Sequence, residues 1–595
     1  MQSAPTTTRD FPARRTALLL GLAAFVAAWS IHFLPHLHTA NEAIRLYFAQ
    51  AIVDTGSATL DPICAVHGSI PVDRSEFEGR ILMDKAPGLS MLLVPVYAAL
   101  RVVWPEVRRQ DFWLFGYIST LLGVLLPICA GLWLLRGWLR ATGTDERLAA
   151  VTLLLVLLAS PLLIYAGLLF GHGLAAALVM MAFFGLAGDP DDSPSLRRRG
   201  LAGLAAGYAG VVDTPVFLLA ALLCLYALGR AGPSLRGRLG HAWPFVAGVA
   251  VGALIQLGYN AAIFGHPLRF AYGFKADANL AKIHATGLLG FTLPRPEALW
   301  GLSCGAARGV LYHAPWLGVA LAGLVLAARG RGGDPDHGDP PSPRRQRDAR
   351  WLLAISAAYF AIIAAFVDWK AGDSAGARHL TPLMALIGAG FPMAMPLSRW
   401  FRRPGALSLA KAVVAAACLL GVLMHLPTVA GFPYHVDRLQ FPVFELAWPV
   451  VTVFASYAPS LGSLVGLSGP VAFVVQACTI AGTFALWSRG LGDDLDEGRD
   501  GHARDLGRVP TFGLFVTVLA LWLAALVAPL GKPLRAVQAS RFLATQVLEP
   551  GLSTRANFAS DPEGLVDRPM PKRPPPPKPR RPRNPSPPAG GAAAE

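Results

Sequence analysis

Long apolar runs separated by short polar segments dominate the chain from residue 16 onward. A transmembrane helix needs about 20 consecutive, mostly apolar residues, and so many runs of this length exceed what one soluble core can bury. The pattern therefore predicts an all-α polytopic membrane protein. Candidate helices lie near residues 16–35, 112–135, 148–167, 171–188, 243–264, 305–328, 351–368, 380–397, 406–428, 465–487 and 511–530.

One further apolar run, over residues 201–229, is interrupted by Asp213-Thr214-Pro215. An acid and a proline at membrane depth are tolerated where the backbone is buried in protein or lines a cavity. We therefore predict two short helices that meet at this break.

The segment 88–104 decides the predicted topology. If it crosses the membrane, Arg136, Arg140 and Arg147 lie outside; if it is re-entrant or lies on the surface, they lie inside with the later arginine-rich loops. Cytoplasmic loops carry an excess of Lys and Arg, which favours the second arrangement, and Pro95 agrees with it. This arrangement gives about 13 transmembrane helices and an inside N-terminus.

The hydropathy pattern divides the chain into four parts. The last part is rich in Pro, Lys and Arg from about residue 568, and we expect it to be disordered because it cannot bury a core. The parts are a cytoplasmic N-terminus (1–15), a transmembrane catalytic module with an outer loop over 36–87 (16–400), C-terminal transmembrane helices with an outer loop over 429–464 (401–530), and a tail (531–595).

Composition agrees with a membrane protein: 54% of the 595 residues are hydrophobic and 15% are charged. The net charge of +15 comes from basic residues between apolar runs and in the tail, where the positive-inside bias accounts for them. With no nucleic-acid-binding motif, we do not expect nucleic-acid binding. The six cysteines show no paired spacing, so they predict neither a disulfide framework nor a zinc framework.

The polar segment 35–87 has the opposite charge balance. It holds seven acidic and four basic residues, so its net charge is 4 − 7 = −3 in a basic chain. Translocated loops are depleted of Lys and Arg, which places this loop outside the cytoplasm. An acidic outer loop on a helical bundle suggests an active site at the membrane surface.

Residues 41–54 have helical periodicity and predict an amphipathic helix at the membrane surface. Glu42 and Arg45 lie three residues apart on it. A partly desolvated Glu42 carboxylate could act as general base toward an acceptor hydroxyl. Equally, Glu42 could only pair with Arg45 on a solvated helix face, and the local sequence leaves both interpretations open.

Two cationic residues are candidates for binding phosphate. Lys85 precedes the turn Pro87-Gly88, at a level where it could meet a lipid phosphate or extend its ammonium into the headgroups. Arg378 ends a glycine-containing loop over 368–379, where it could bind phosphate bidentately or pair with Asp368 or Asp373.

The order of these motifs resembles the GT-C superfamily of integral-membrane glycosyltransferases. The resemblance is to the bacterial branch near glycosyltransferase family 39, the protein mannosyltransferases and the aminoarabinose transferases, and it covers about 41–391. The elements are Asn41-Glu42, Asp84-Lys85-Ala86-Pro87-Gly88, Ser160-Pro161 with Tyr165 and His172, Tyr259-Asn260 with Phe264-Gly265-His266-Pro267, Arg308-Gly309 with Pro315-Trp316, and Gly376-Ala377-Arg378-His379.

The resemblance implies a polyprenyl-phosphate-linked sugar donor and an inverting transfer to a glycan, lipid or protein acceptor at the outer face of a bacterial inner membrane. Glu42 would be the first-loop acid, and Lys85 and Arg378 would contact the donor phosphate in a common cavity. A lipid-borne donor also fits the lack of any dinucleotide-binding or P-loop glycine pattern in a suitable context. The full set of predicted substrate-binding residues is Arg45, Asp84, Lys85, His172, Tyr259, Asn260, Arg308, Asp368, Arg378 and His379.

The chain also departs from the family pattern. Where relatives often carry an Asp-Glu pair it has Asn41-Glu42, which weakens the case for a bridging metal. No metal ligand and no certain cofactor is assigned, and a divalent metal is left open.

Two other functions remain as alternatives. A transporter or lipid-carrier flippase should show polar sites near the bilayer midplane and corresponding repeats in its two halves. The sequence shows no such repeat, and its polar groups gather at one surface. The third hypothesis is a scaffold that has kept the fold and lost the chemistry.

Overall fold

The computed structural model describes residues 11–32, 39–108, 111–189, 192–230, 233–331, 342–394, 404–435, 439–452, 455, 457–488 and 516–520. The fold is almost entirely helical, with one small β-hairpin in the described part of the chain. The first elements are α1 (Ala13–Trp29), α2 (Ala40–Thr55), α3 (Asp61–His67), β1 (Arg74–Phe77), β2 (Arg80–Met83), α4 (Gly88–Val103), α5 (Phe112–Thr120), α6 (Leu126–Ala141), α7 (Glu146–Leu158), α8 (Leu162–Ala166) and α9 (Gly171–Ala187).

The remaining helices continue the bundle. Short 3₁₀ turns cover Pro105–Arg108, Ala271–Phe274 and Arg378–Leu380, and π-helical turns cover Leu121–Leu125 and Val443–Ala447. The helices are α10 (Leu196–Val212), α11 (Val216–Gly229), α12 (Leu235–Phe264), α13 (Ala278–Ala285), α14 (Pro296–Ser303), α15 (Val310–His313), α16 (Trp316–Ala328), α17 (Pro343–Ala364), α18 (Leu383–Gly388), α19 (Pro404–Ala430), α20 (Trp448–Thr452), α21 (Leu461–Leu464) and α22 (Gly469–Ser488).

Four described helical segments are long and apolar enough to cross a membrane: Phe112–Ala141, Leu235–Phe264, Lys411–Ala430 and Gly469–Ser488. Several shorter apolar helices accompany them. The prediction of an all-α polytopic membrane protein is confirmed, whereas the number of about 13 spans stays a prediction. The predicted helix over 511–530 lies almost wholly outside the described residues, as does the tail.

The centre of the bundle is formed by helices that are apolar on every side. Almost every residue of α7 and α9 is buried, and a helix that is hydrophobic all round must be enclosed by others. At the periphery, α12 and α22 expose apolar side chains such as Leu254 and Val474, as expected of helices that face lipid.

The break predicted at Asp213 is present, because α10 ends at Val212 and α11 begins at Val216. Close contact of α10 with α12 holds this region in place. At Gly207 and Gly252 a Cβ atom would overlap the backbone of the facing helix, so only glycine allows this approach.

The described part of the first outer loop folds into α2, α3 and the hairpin β1–β2. Arg74 pairs with Met83 and Phe77 pairs with Arg80, and both residues of the Glu78-Gly79 turn have positive φ, as a type I′ turn requires. The sequence analysis expected helices in this loop and did not predict the hairpin.

The hairpin fixes a distant segment of the chain beside the bundle. Ser75 forms an antiparallel bridge with Lys275, and the Ser75 hydroxyl donates to the Ala271 carbonyl at 2.8 Å. The Ala276 N–H donates to the Arg74 carbonyl at 3.1 Å. This strand-like pairing brings Tyr272 and Lys275 close to Asp84 and Lys85, which follow the hairpin.

Helix α4 has 16 residues and contains Pro95. At 1.5 Å per residue it is about 24 Å long, shorter than the roughly 30 Å hydrocarbon core of a bilayer. It packs against α2 and α5, so it forms part of the bundle. Whether 88–104 crosses the membrane stays a prediction.

Candidate active site

Glu42 lies in the first turn of α2, three residues after the N-cap residue Thr39. The Leu169 N–H donates to its Oε1 at 2.9 Å, and the Tyr434 hydroxyl donates to its Oε2. The Thr39 hydroxyl contacts the same Oε2 at 3.2 Å. Among the described residues, Glu42 forms no ion pair with Arg45, so the solvated-pair interpretation does not describe this carboxylate.

Burial raises the pKa of the Glu42 carboxyl above its ordinary value, and the hydrogen bonds from Tyr434, Leu169 and Thr39 oppose that rise without cancelling it. A carboxylate whose pKa is raised toward neutrality is a stronger base than a solvated one. Its surroundings therefore suit a proton acceptor better than a permanent counter-ion.

Glu42 also lines a groove between α1, α2, α5 and the segment before α9. The groove offers about 40 Å³ of space to the centres of water-sized molecules. Apolar and polar groups both line it, so it could receive part of an amphipathic molecule whose polar end meets the carboxylate. The lining includes Glu42, Leu46, Trp113, Thr120, Leu169 and Tyr434.

A second group of side chains lies near Arg45 of α2, where four cationic residues from separate segments converge. We call this group the cation cluster. Its cations are Arg45, Lys85, Lys275 and Arg378, and the carboxylates that interact with them are Asp73, Asp84 and Asp213.

The two lysines of the cation cluster are paired. Lys85 Nζ lies 3.0 Å from Asp73 Oδ2 and 3.4 Å from Asp84 Oδ1. Lys275 Nζ lies 2.6 Å from Asp84 Oδ2, and the Asp84 side chain is completely buried. These ion pairs join the hairpin, the turn before α4 and the segment after α12.

Burial and the neighbouring charges shift the pKa values of these paired groups in different directions. Burial alone would raise the pKa of the Asp73 carboxyl, but the ammonium groups of Lys85 and Lys275 hold that pKa below its ordinary value. Burial lowers the pKa of Lys85, and Asp73 and Asp84 outweigh it, so this pKa is raised. The pKa of Lys275 is lowered, because burial and the nearby Lys85 charge exceed the effect of Asp84.

The two arginines, in contrast, have no carboxylate at ion-pair distance in the described part of the chain. Arg45 is buried and donates to Asn41 Oδ1 at 3.1 Å and to the Ala86 carbonyl at 3.4 Å. The Nε of Arg378 is buried without a hydrogen-bond partner, and its guanidinium carbon lies 5.8 Å from the centre of the Phe170 ring. These guanidinium groups keep donor capacity for an anionic ligand.

Phe170 connects the two groups of side chains. Its ring contacts Arg378 as well as Tyr434, whose hydroxyl binds Glu42. Glu42 and Arg378 are therefore linked through two aromatic side chains, those of Tyr434 and Phe170. That they line a single cavity with Lys85 stays a prediction.

His172 and His379 meet Asp213 at the edge of the cation cluster. His172 Nδ1 lies 2.7 Å from Asp213 Oδ2, and the His172 and His379 rings are 5.1 Å apart, centre to centre. Gly171 allows this approach, because a Cβ there would lie 2.8 Å from the Val212 carbonyl and 3.3 Å from Arg45 Nη2.

The other predicted binding residues make contacts that support the local backbone. Arg308 donates to the carbonyls of Ser374 and Gly372, and so braces the loop that leads to Arg378. Asn260 accepts from Gln256 and donates to the Pro267 carbonyl, both at 2.9 Å. Their role in substrate binding stays a prediction.

Tyr259 and Asp368 are two further predicted binding residues. The Tyr259 ring is buried and packs edge-on against Phe48, with ring centres 6.2 Å apart. The Asp368 carbonyl accepts from the Ala371 N–H at 3.0 Å in a turn where Ala371 has positive φ. Their predicted contact with substrate remains a prediction.

Sequence reasoning did not select four residues that complete these groups: Asp73, Asp213, Lys275 and Tyr434. Asp213 gave a signal, since an acid beside a proline within an apolar run is rare. Lys275 and Tyr434 gave none, because their positions depend on pairing with segments far away in the chain.

No family model and no curated protein matches the chain. Among solved structures, the chain is similar to ArnT from Cupriavidus metallidurans bound to undecaprenyl phosphate, with 17% identity, a TM-score of 0.47, and coverage of 87% of this chain and 78% of that one. The apo state of the same enzyme gives 16% identity, a TM-score of 0.41, and coverage of 86% and 79%.

The oligosaccharyltransferase of Archaeoglobus fulgidus in its apo form gives 12% identity and a TM-score of 0.38, with coverage of 78% of this chain and 56% of that chain.

Proposed function

We propose that this protein is a GT-C glycosyltransferase that moves a hexosyl or pentosyl group from a polyprenyl-phosphate donor to an acceptor at the outer face of a bacterial inner membrane. The observation that carries the proposal is the cation cluster. Arg45 and Arg378 converge there with no carboxylate at ion-pair distance among the described residues, and a buried Glu42 is linked to Arg378 through the rings of Tyr434 and Phe170.

The unpaired arginines would bind the donor phosphate. A guanidinium donates two parallel hydrogen bonds to phosphate oxygens, and such charge-assisted bonds are stronger than neutral ones. Lys85 and Lys275 add positive charge, although their pairing with Asp73 and Asp84 already offsets much of it. A phosphate attached to a membrane-embedded polyprenyl chain suits a cluster at the end of an apolar bundle.

Glu42 would accept the proton of the attacking hydroxyl. The acceptor oxygen forms a bond to the anomeric carbon while the bond from that carbon to the phosphate oxygen breaks. The bonding electrons leave with the polyprenyl phosphate, where Arg45 and Arg378 would stabilise the additional negative charge. Attack opposite to the leaving group inverts the configuration at the anomeric carbon.

The groove lined by Glu42 supports an acceptor route separate from the donor phosphate. Apolar and polar groups line it and the carboxylate lies on its surface, so an acceptor hydroxyl could reach Oε1 or Oε2 without crossing the cation cluster. Tyr434 and Leu169 would hold the carboxylate in place during the proton transfer.

The test is transfer from radiolabelled polyprenyl-phosphate sugars by membranes that contain the full-length protein. We expect loss of label from the lipid and its appearance in an acceptor fraction, with Arg378→Ala as the binding-deficient comparison. Flux of the lipid carrier without transfer of any sugar would instead support a transporter. Binding of the donor without turnover would support an inactive scaffold.

A further inference from the structure

Three side chains at the edge of the cation cluster have the composition and spacing of a metal site. His172 comes from the first turn of α9, Asp213 from the break between α10 and α11, and His379 from the turn Arg378–Leu380. One potential ligand atom of each residue lies within 4.8 Å of the corresponding atoms of the other two. Three elements distant in sequence therefore direct ligand-type atoms to one point.

One ring nitrogen of this trio takes part in no hydrogen bond among the described residues. His172 and Asp213 share one contact of 2.7 Å, but the buried Nε2 of His379 has no partner among the described residues. Buried ring nitrogens in folded proteins almost always have a partner, because an unpaired one loses its hydration without compensation. The unpaired nitrogen is an observation independent of the cluster itself, and it points toward a ligand.

Two imidazoles and one carboxylate select a particular class of metal ion. Zinc is commonly bound by three protein ligands of this kind with one position left for water or substrate. Magnesium and calcium prefer oxygen ligands and are poorly served by two ring nitrogens. Arg45 and Arg378 lie nearby and oppose a cation, so we expect weaker binding than at a closed structural zinc site.

We propose that His172, Asp213 and His379 bind a divalent transition-metal ion, with zinc preferred over magnesium. The site depends on this geometry alone and does not require the proposed glycosyl transfer. A bound ion would take up the unpaired His379 nitrogen and fix the α10–α11 break to the start of α9. Its open coordination position would adjoin the cation cluster.

The test measures metal directly and needs no substrate. The full-length protein in detergent is stripped with a chelator, incubated with Zn²⁺ with or without excess Mg²⁺, separated from free metal, and analysed for zinc per chain by mass spectrometry. We expect about one zinc per chain, as for a single mononuclear site, unaffected by Mg²⁺. Cobalt substitution should add visible absorption bands of a low-symmetry nitrogen–oxygen site.

The variants decide the assignment. His379→Gln removes a nitrogen that has no protein partner and so should leave folding intact, and its zinc affinity should fall roughly tenfold or more, as even changes to outer-shell groups do. Asp213→Asn should also lower the zinc affinity. His425→Gln is the matched control, because the buried Nε2 of His425 also has no hydrogen-bond partner among the described residues, while its Nδ1 contacts the Gly421 carbonyl of its own helix.

Zinc retained at wild-type affinity in both His379→Gln and Asp213→Asn would overturn the proposal, since the metal would then be bound elsewhere. Absence of zinc from the wild type at saturating concentration would overturn it as well. Because neither result involves sugar transfer, each is distinguishable from failure of the proposed function.

Discussion

Charged residues gather at both ends of α9, and the two groups differ in how completely they are paired. The cation cluster lies at the start of the helix, beside His172. At the other end lies a second group, which we call the arginine network. The network consists of Arg230, Arg344, Arg347, Asp192 and Asp348. The 17 residues of α9 place them about 25 Å apart.

Every cation of the arginine network has a carboxylate partner. Asp192 pairs with Arg230, with Arg347 at 2.8 Å and with Arg344 at 3.5 Å. The fully buried Asp348 lies 2.9 Å from Arg347 and accepts from Trp138 Nε1 and the Tyr226 hydroxyl at 3.0 Å each. Arg344 also donates to the Ala187 carbonyl at the end of α9, where a cation is favourable.

The difference separates stabilising charges from charges that can bind a ligand. In the arginine network every guanidinium has a carboxylate at ion-pair distance, so the network joins α9, α11 and α17. In the cation cluster, Arg45 and Arg378 have no carboxylate at that distance among the described residues. Substitutions at the two ends of α9 should therefore have opposite effects, with activity lost at one end and stability lost at the other.

The largest expected effect is on turnover at the α2 end. Glu42→Gln keeps the shape and part of the hydrogen bonding of the side chain, but it removes a general base, which typically contributes about 10²- to 10⁴-fold in rate. We expect a loss of this size in transfer from a radiolabelled donor, at unchanged donor binding and protein abundance. Wild-type turnover of Glu42→Gln would end the base assignment.

The second effect concerns stability at the opposite end. Asp348→Asn leaves buried arginines without their counter-charge, and removing one partner of a buried ion pair costs about 3–5 kcal/mol. We expect a clear drop in the unfolding midpoint in detergent, with turnover per folded molecule retained.

The control for Asp348→Asn is Arg80→Ala, which breaks the exposed pair of Arg80 with Glu78. Exposed pairs contribute about 0–1 kcal/mol, so its unfolding midpoint should hardly change. Equal midpoints for Asp348→Asn and the wild type would remove the distinction between the two ends.

A third, smaller effect tests the unpaired cation. Arg378→Ala removes hydrogen bonds to a charged group, which contribute about 1.5–3 kcal/mol, so donor affinity should fall roughly 10- to 100-fold. Stability should fall little, because the guanidinium has no carboxylate at ion-pair distance among the described residues. Arg378→Lys, which keeps the charge without the bidentate geometry, should give an intermediate affinity; full affinity in Arg378→Ala would contradict the assignment.

The smallest effect is a pH dependence. Because burial raises the pKa of Glu42, the acid limb of the rate profile should lie at higher pH than for a solvated carboxyl, and it should be absent from the residual activity of Glu42→Gln. The folded pKa lies above the unfolded one, so Glu42 lowers stability as pH rises through this range. Unfolding midpoints of the wild type and Glu42→Gln measured at several pH values check the sign.

Hydropathy was sufficient to predict the helical membrane fold, the break at Asp213 and most helix positions, because long apolar runs have few alternative structures. The hairpin over Arg74–Phe77 and Arg80–Met83 was not predicted. Its strands are only four residues long, and one of them is held by pairing with Lys275, a contact that no local pattern contains.

The candidate site was predicted in composition more than in arrangement. Glu42, Lys85 and Arg378 were selected from their place in the motif order, yet their partners could not be foreseen. Tyr434 reaches Glu42 from nearly 400 residues away, and Asp73 pairs with Lys85 only because the hairpin folds back. Sequence identifies which groups are unusual, whereas tertiary contacts decide which of them stay unpaired.

The connectivity of the cation cluster also imposes an order on its assembly during synthesis. Asp73, Asp84 and Lys85 emerge from the ribosome close together and can pair at once, whereas Lys275 follows much later and Arg378 later still. A nascent chain can thus pair Lys85 early, whereas Arg378, which has no carboxylate at ion-pair distance among the described residues, joins Arg45 last. The complete cation cluster therefore forms only when most of the bundle has been synthesised.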